Sequence, residues 1–117
     1  MKIVVFGLTI SSSWGNGHAT LWRGLLQALI QRGWDVVFFE RDTPYYAANR
    51  DLREIPGGTL HLYTDWSDVD HLATASLKDA DVGVVTSYCP DAAAAEEALL
   101  AAPHEPLSTA SQPRSHA

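Results

Sequence analysis

The sequence opens with the apolar, β-branched run Lys2-Ile3-Val4-Val5-Phe6-Gly7-Leu8-Thr9 and continues through Ile10-Ser11-Ser12-Ser13-Trp14-Gly15-Asn16-Gly17-His18. An amphipathic run with helical spacing follows. A buried strand, a glycine-containing loop and a helix start predict the first βα unit of a doubly wound α/β domain. Ligands of such domains bind at the carboxyl ends of the strands, so this loop is the first candidate site.

Composition limits the classes of protein and partner. The chain has 117 residues, of which 46% are hydrophobic and 19% charged, as in one globular domain. Its formal net charge of -6 and the lack of a Lys/Arg cluster disfavour nucleic acids and anionic membranes as partners. The single cysteine, Cys89, excludes an internal disulfide, and the first apolar run is too short for a signal peptide or a membrane span. We therefore predict a cytoplasmic location.

The hydrophobic periodicity predicts an α/β fold, a Rossmann-like doubly wound parallel sheet of about four strands with right-handed crossovers. Gly24, in the middle of the first helix, is expected to let the helix backbone lie close to the sheet. Gly33 is expected to end that helix in the left-handed conformation. The predicted strands are Lys2–Thr9, Val36–Glu40, Leu60–Tyr63 and Val82–Ser87. The predicted helices are His18–Arg32, a short one within Tyr45–Arg53, one capped by Ser67 or Asp68 and reaching Lys78, and Pro90–Ala102.

The composition changes at Pro103. Residues 103–117 contain three prolines and one large aliphatic residue, Leu107, so we expect a disordered Pro/Ser-rich tail after a domain of residues 1–102. Complete sheets of this type have about five or six strands. A four-stranded sheet is therefore expected to be incomplete, with an exposed edge through which copies of the chain, or a partner domain, associate.

Three blocks of sequence resemble a known family. They are the opening segment from Met1 to Thr20, then Val37-Phe38-Phe39-Glu40-Arg41-Asp42, then Thr86-Ser87-Tyr88-Cys89-Pro90-Asp91. They resemble the N-terminal domain of the CgeB-like glycosyltransferases over about residues 1 to 100. The resemblance implies half of a GT-B enzyme, whose N-terminal domain holds a small-molecule acceptor and whose C-terminal domain binds a nucleotide sugar. It also implies a truncated chain that is inactive alone, with no bound cofactor or metal.

The resemblance implies a role for His18 as the general base that activates an acceptor hydroxyl. A neutral imidazole suits that role, and a helix N-terminus favours the neutral form. A non-catalytic ligand contact and a purely structural histidine remain open alternatives. The substrate-binding candidates are Trp14, Gly15, Asn16, Gly17 and Tyr88.

Other site chemistries compete with this interpretation. Glu40 ends the second strand where a dinucleotide-binding domain places its ribose-binding acid, but Thr20 replaces the third glycine of that fingerprint. The favoured alternative is a charged loop of Glu40, Arg41 and Asp42, in which an ion pair can form. Cys89 is a nucleophile only if a base lies beside it, so a packing role is favoured. The histidines and Cys89 lack metal-site spacing.

Two further functions remain open besides the glycosyltransferase half. The first is a stand-alone Rossmann-like module that binds a small ligand or a nucleotide without catalysis. The second is a fragment without function that folds poorly. Specific ligand uptake without turnover distinguishes the binding module from the enzyme half.

Overall fold

The computed structural model describes residues 1–12, 17–86, 89–102 and 106–108; for His18 and residues 106–108 it describes the backbone alone. Strands and helices alternate along the chain. In order, they are β1 (Lys2–Gly7), α1 (Gly17–Gln31), β2 (Asp35–Arg41), α2 (Pro44–Ala47), β3 (Thr59–Tyr63), α3 (Trp66–Lys78), β4 (Val82–Val85), α4 (Ala92–Ala101) and β5 (Pro106–Ser108).

The strands form one parallel sheet in the order β3-β2-β1-β4-β5. From β1 the chain moves outward to β3, then crosses back and adds β4 and β5 on the other side of β1. This arrangement is a doubly wound sheet, and it confirms the predicted α/β, Rossmann-like fold. The winding reverses between β1 and β4. In doubly wound sheets the loops on the two sides of such a reversal diverge and form the crevice in which ligands bind.

The fifth strand lies inside the segment that the sequence predicts to be a disordered tail. Residues 106–108 pair in parallel with Gly83–Val85 of β4. The central sheet therefore has the four expected strands plus one short edge strand. The partner of that strand is the edge of β4, more than twenty residues earlier in the sequence, so composition alone does not indicate the pairing.

Each face of the sheet has its own hydrophobic core. Val4, Phe6 and Phe39 point toward α3 and α4, and the rings of Phe6 and Phe39 stack with centroids 5.0 Å apart. Val5 and Phe38 point the other way, toward α1. Both faces of β1 and β2 are thus buried, which explains why these strands appear in the sequence as continuous apolar runs.

Several helix boundaries differ from the predicted ones. The second helix ends at Ala47 rather than near Arg53, because the amides of Asp51 and Leu52 donate to the carbonyl of Ser11, each at 2.9 Å. The third begins at Trp66 after the N-cap residue Asp65. The last begins at Ala92, two residues after the proline at which it was expected to start.

Two glycines of the first helical region behave differently. Gly33 has a φ of 87°, the left-handed conformation expected at the end of α1. Gly24, in contrast, is exposed, and a Cβ built there would meet no described atom within 4 Å. The expectation that Gly24 allows close approach to the sheet is therefore wrong, since it lies on the side of α1 that faces away from the sheet.

Candidate functional site

The crevice at the carboxyl edge lies between the loops that follow β1 and β4. The amide of Thr86, just past β4, donates to the carbonyl of Phe6 at 2.9 Å, so the two loops start side by side. Gly17 is the exposed first residue of α1, and the backbone of His18 belongs to its first turn. The helix N-terminus that carries two of the predicted site residues therefore follows the first loop directly.

The other predicted contacts lie outside the described residues. These are Trp14, Gly15, Asn16 and Tyr88, together with the side chain of His18. Their roles stay predictions. What the structure describes is the framework on both sides of them, namely residues 8–12 before the first loop segment and residues 89–91 after the second.

A buried carboxylate holds the first loop. Glu40, at the end of β2, is fully buried, and its Oε1 accepts hydrogen bonds from the amides of Ile10 at 2.7 Å and Ser11 at 2.9 Å. Its Oε2 accepts a hydrogen bond from the hydroxyl of Ser11 at 2.6 Å. Hydrogen bonds to an ionised group are about twice as strong as neutral ones. The backbone at residues 10–11 is therefore fixed to the end of β2.

The guanidinium of Arg50 compensates the buried negative charge of Glu40. Its side chain is only 8% exposed, and its Nη2 lies 3.9 Å from Oε2 of Glu40 and 2.8 Å from a carboxylate oxygen of Asp42. Its Nε donates to the hydroxyl of Ser11 at 2.9 Å. A buried carboxylate with both a cation and several hydrogen bonds avoids the penalty of an uncompensated charge.

This arrangement overturns the ribose-binding interpretation of Glu40. It also changes the other interpretation, since Glu40 is ion-paired with Arg50 but does not lie in a loop. The residue belongs to β2, opposite Gly7 in register, so it is not part of an exposed charged loop. Its carboxylate is enclosed and bonded to the protein, so it is not free to bind a ribose. Sequence reasoning missed the anchoring role. The sequence did contain one signal, an acid at the end of a continuous apolar run. Such a strand is buried on both faces, and a charge buried there needs partners within the protein.

A second polar cluster holds the start of α4 near the other loop. The carboxylate of Asp91 accepts a hydrogen bond from the hydroxyl of Tyr63 at 2.8 Å and another from Arg41 at 3.2 Å. Arg41 also lies 3.7 Å from Asp65. Burial, with the hydrogen bond to Asp91 next, raises the pKa of Tyr63 above its ordinary range, so its hydroxyl stays a donor. The sequence could not reveal this cluster, because its members lie at or just after the ends of three different strands.

Cys89 is a packing residue. It is 6% exposed and belongs to the core beneath α3 and α4. Burial raises the pKa of the thiol to about 11, so the thiolate that a nucleophile requires is scarce near neutral pH. The favoured sequence interpretation of this residue agrees with its position.

Two classes of feature are absent from the described part of the chain. Among the side chains that the structure describes, which exclude that of His18, no three of His, Cys, Asp or Glu are grouped to hold a metal ion. None of the described helices has the length and apolar character needed to cross a membrane.

The comparisons with known proteins add no relative. No family model matches the chain, and no curated protein and no solved structure is significantly similar to it. The features of this chain that bear on its function are therefore its fold, its carboxyl-edge residues and the sequence blocks that resemble a known family.

Proposed function

We propose that this chain is the acceptor-side domain of a GT-B-type glycosyltransferase, and that its crevice binds a small acceptor through a hydroxyl group. The observation that carries the proposal is the reversal of winding between β1 and β4, where the anchored first loop leads into the N-terminus of α1. The resemblance of the three sequence blocks to the CgeB-like N-terminal domain supplies the reaction class.

The rigidity of the crevice walls supports a binding role. Glu40 and Arg50 hold the backbone before the first loop segment, and Asp91 is held by Tyr63 and Arg41 after the second. Binding residues need a supporting framework whose own conformations are fixed, because loose support costs affinity and rate. Both loop segments with predicted contacts are flanked by such a framework.

The distribution of charge favours the acceptor over the donor as the ligand of this domain. Among the described residues at the carboxyl edge, Arg41 and Arg50 are both paired with carboxylates. The diphosphate of a nucleotide sugar needs cations or several amide donors, whereas a neutral sugar hydroxyl needs neither. This pairing supports assignment of the donor to another domain, as the resemblance implies.

In the proposed reaction His18 is the general base. Its neutral imidazole takes the proton of the acceptor hydroxyl as the hydroxyl oxygen bonds to the anomeric carbon of the donor. The bond from that carbon to the nucleoside diphosphate breaks, and the diphosphate leaves with the electron pair. Trp14, Asn16 and Tyr88 contact the acceptor, and Gly15 and Gly17 let the backbone approach it.

Chemical-shift mapping of the isotope-labelled chain tests the binding step. Glucose, N-acetylglucosamine and uridine diphosphate, each titrated to millimolar concentration, serve as probes. We expect saturable shifts with a sugar at the amides of residues 17–20 and of Cys89, Asp91 and Ala92, and weaker ones with the diphosphate. No saturable shift with any probe, or shifts confined to other surfaces, would contradict the proposal.

A transfer assay tests the chemistry. Because the chain alone is expected to be inactive, release of uridine diphosphate from UDP-glucose is measured with this chain joined to the donor-binding domain of the proposed enzyme. His18→Ala is compared with His71→Ala, which replaces an exposed histidine of α3. Loss of transfer in the first variant alone supports the role of His18. Sugar binding that His18→Ala leaves intact, with no transfer by either protein, assigns the chain to the stand-alone binding module instead.

A further inference from the structure

A cavity of about 260 Å³ lies between α1 and the segment of residues 51–56. Three buried side chains form its inner end, those of Ile10, Leu26 and Ile55, which are 1%, 0% and 4% exposed. The half-buried Leu52 forms one side. The lining is almost entirely carbon, so the cavity is a continuation of the hydrophobic core on the α1 side of the sheet.

The cavity follows from the short crossover between β2 and β3. A full crossover helix packs a side chain against the sheet at every turn, but α2 ends at Ala47. The chain then runs without regular structure toward β3, and Pro56, Gly57 and Gly58 disfavour a further helix there. This segment supplies Leu52 and Ile55 to the core beside α1, which leaves the space between them and the helix incompletely filled.

The walls of the cavity are fixed to one another, so they cannot easily close over it. The Nε of Arg23 donates to the carbonyl of Ile10 at 2.8 Å, and the guanidinium pairs with Asp51. The amides of Asp51 and Leu52 both donate to the carbonyl of Ser11. The lining of a cavity that cannot collapse lacks dispersion contacts, and an apolar occupant supplies them.

The polar side chains at the opening are bonded within the chain. Arg23 and Gln27 lie one turn apart on α1. Arg23 pairs with Asp51, and the Nε2 of Gln27 donates to the carbonyl of Pro56 at 3.4 Å. Both contacts tie α1 to the segment of residues 51–56. A protein segment would have to break both ties to enter, whereas a small molecule passes between them.

The same bonds decide the chemistry of the occupant. A charged ligand has no unpaired partner here, because Arg23 is already paired with a carboxylate. A water molecule needs two to four polar partners, which a carbon lining does not provide. The lining therefore favours a neutral, apolar molecule.

We propose that this cavity binds a small, neutral, apolar molecule of one or two rings. An apolar cavity of about 150 Å³ accepts benzene, so the larger volume here accommodates a fused ring pair such as indole. Burial of apolar ligand surface and contact with four aliphatic side chains drive the binding. None of the lining residues is a predicted acceptor contact, and the proposal does not depend on the proposed function.

Titration of the methyl-labelled full chain with indole, followed by NMR, tests the proposal. We expect saturable shifts at the methyl groups of Ile10, Leu26, Leu52 and Ile55, and a rise in the melting temperature, because indole binds the folded state. No saturable shift up to the solubility limit of indole overturns the proposal. Saturable shifts confined to other methyl groups overturn it as well.

A pair of matched substitutions locates the site. Leu52→Trp fills the cavity from its side and should weaken indole binding by about tenfold or more. Leu72→Trp makes the same change on α3, where Leu72 is 42% exposed and lies outside the cavity. It should leave the dissociation constant within about twofold of wild type. Equal affinities of the Leu52→Trp variant and wild type contradict the proposal.

A second variant serves if Leu52→Trp fails to fold. Leu52→Ala enlarges the cavity, so the affinity for 2-naphthol, a larger neutral ring pair, should rise relative to that for indole. Leu72→Ala should leave this ratio unchanged. A ratio that Leu52→Ala also leaves unchanged places the ligand elsewhere and overturns the proposal.

A charged analogue tests the chemical class. Indole-3-acetate carries a carboxylate on the same ring system, and we expect it to bind about tenfold more weakly than indole or not at all, because burial of an unpaired charge is costly. Binding of indole-3-acetate that is as tight as that of indole would show that Arg23 leaves Asp51 to hold a carboxylate. That result would refute a neutral, apolar ligand.

Discussion

Ser11 bonds both oxygens of the Glu40 carboxylate, its amide to one at 2.9 Å and its hydroxyl to the other at 2.6 Å, across a sequence separation of 29 residues. This contact joins the loop after β1 to the end of β2. Both partners are buried, so water does not compete for the bonds. The end of β2 therefore fixes the backbone conformation of the residues that begin the first loop.

Replacing the anchoring carboxylate should destabilise the fold. Glu40→Gln keeps the size of the side chain but removes its charge, and the Gln amide bonds the two backbone donors less strongly. We expect a loss of about 2 kcal/mol in the free energy of unfolding, measured with urea. Asp42→Asn, at the half-exposed partner of Arg50, is the control and should cost less than about 1 kcal/mol. Equal losses in the two variants would refute the anchoring role.

The cluster around Asp91 should show measurable coupling. A double-mutant cycle of Tyr63→Phe and Asp91→Asn isolates their hydrogen bond of 2.8 Å, for which we expect a coupling energy of about 1 kcal/mol. The more exposed Arg41 and Asp65, 3.7 Å apart, should give a smaller coupling in the same kind of cycle. Additive effects of Tyr63→Phe and Asp91→Asn would show that the bond contributes nothing.

Two glycine-to-alanine substitutions should change the stability of the fold in opposite directions. Gly24→Ala adds a methyl group into open space on a helix, so we expect it to stabilise the chain by about 1 kcal/mol.

Gly57→Ala is the counterpart, because Gly57 has a φ of 80° and its added Cβ would lie 2.8 Å from Cγ2 of Ile30. It should destabilise the chain by at least about 1 kcal/mol. Thermal unfolding of both variants measures the difference, and a shift in the same direction for both would contradict the structure.

Stability should fall at alkaline pH in part through Cys89. Burial raises the pKa of this thiol to about 11 in the folded chain, whereas an unfolded thiol has a pKa of about 8.5. The unfolded state therefore loses its proton first, so the thiol's contribution is complete below pH 8.5 and is lost as the pH rises toward 11. Cys89→Ala should show a shallower decline in the free energy of unfolding over this range. Identical slopes for the two proteins would rule out the effect.

The elements of the central sheet could be predicted because their signals are local. Apolar runs such as Val36–Phe39 predict strands that are buried on both faces. The helical spacing of apolar residues after His18 predicts an amphipathic helix that is buried on one face. Boundaries were less predictable. The second helix ends early because Ser11 takes the amides of residues 51 and 52, a contact that no local pattern contains.

The candidate site was predictable in location but not in its supporting contacts. Its location follows from the rule that loops at the carboxyl edge carry function, and the end of β1 can be identified in the sequence. The roles of Glu40 and Arg50 depend on which loop lies over the end of β2. The cluster of Tyr63 and Asp91 likewise depends on how β3 and the start of α4 are placed relative to each other.

The sequence by itself determined the α/β class, the parallel strands and the loop at which to look for function, because hydrophobic period and glycine positions act over a few residues. Only the tertiary structure decided that Glu40 anchors the first loop and that Gly24 faces away from the sheet. It also decided that Pro106–Ser108 joins the sheet edge. Each of these outcomes depends on contacts between distant segments, whose relative positions are set by packing of the whole core.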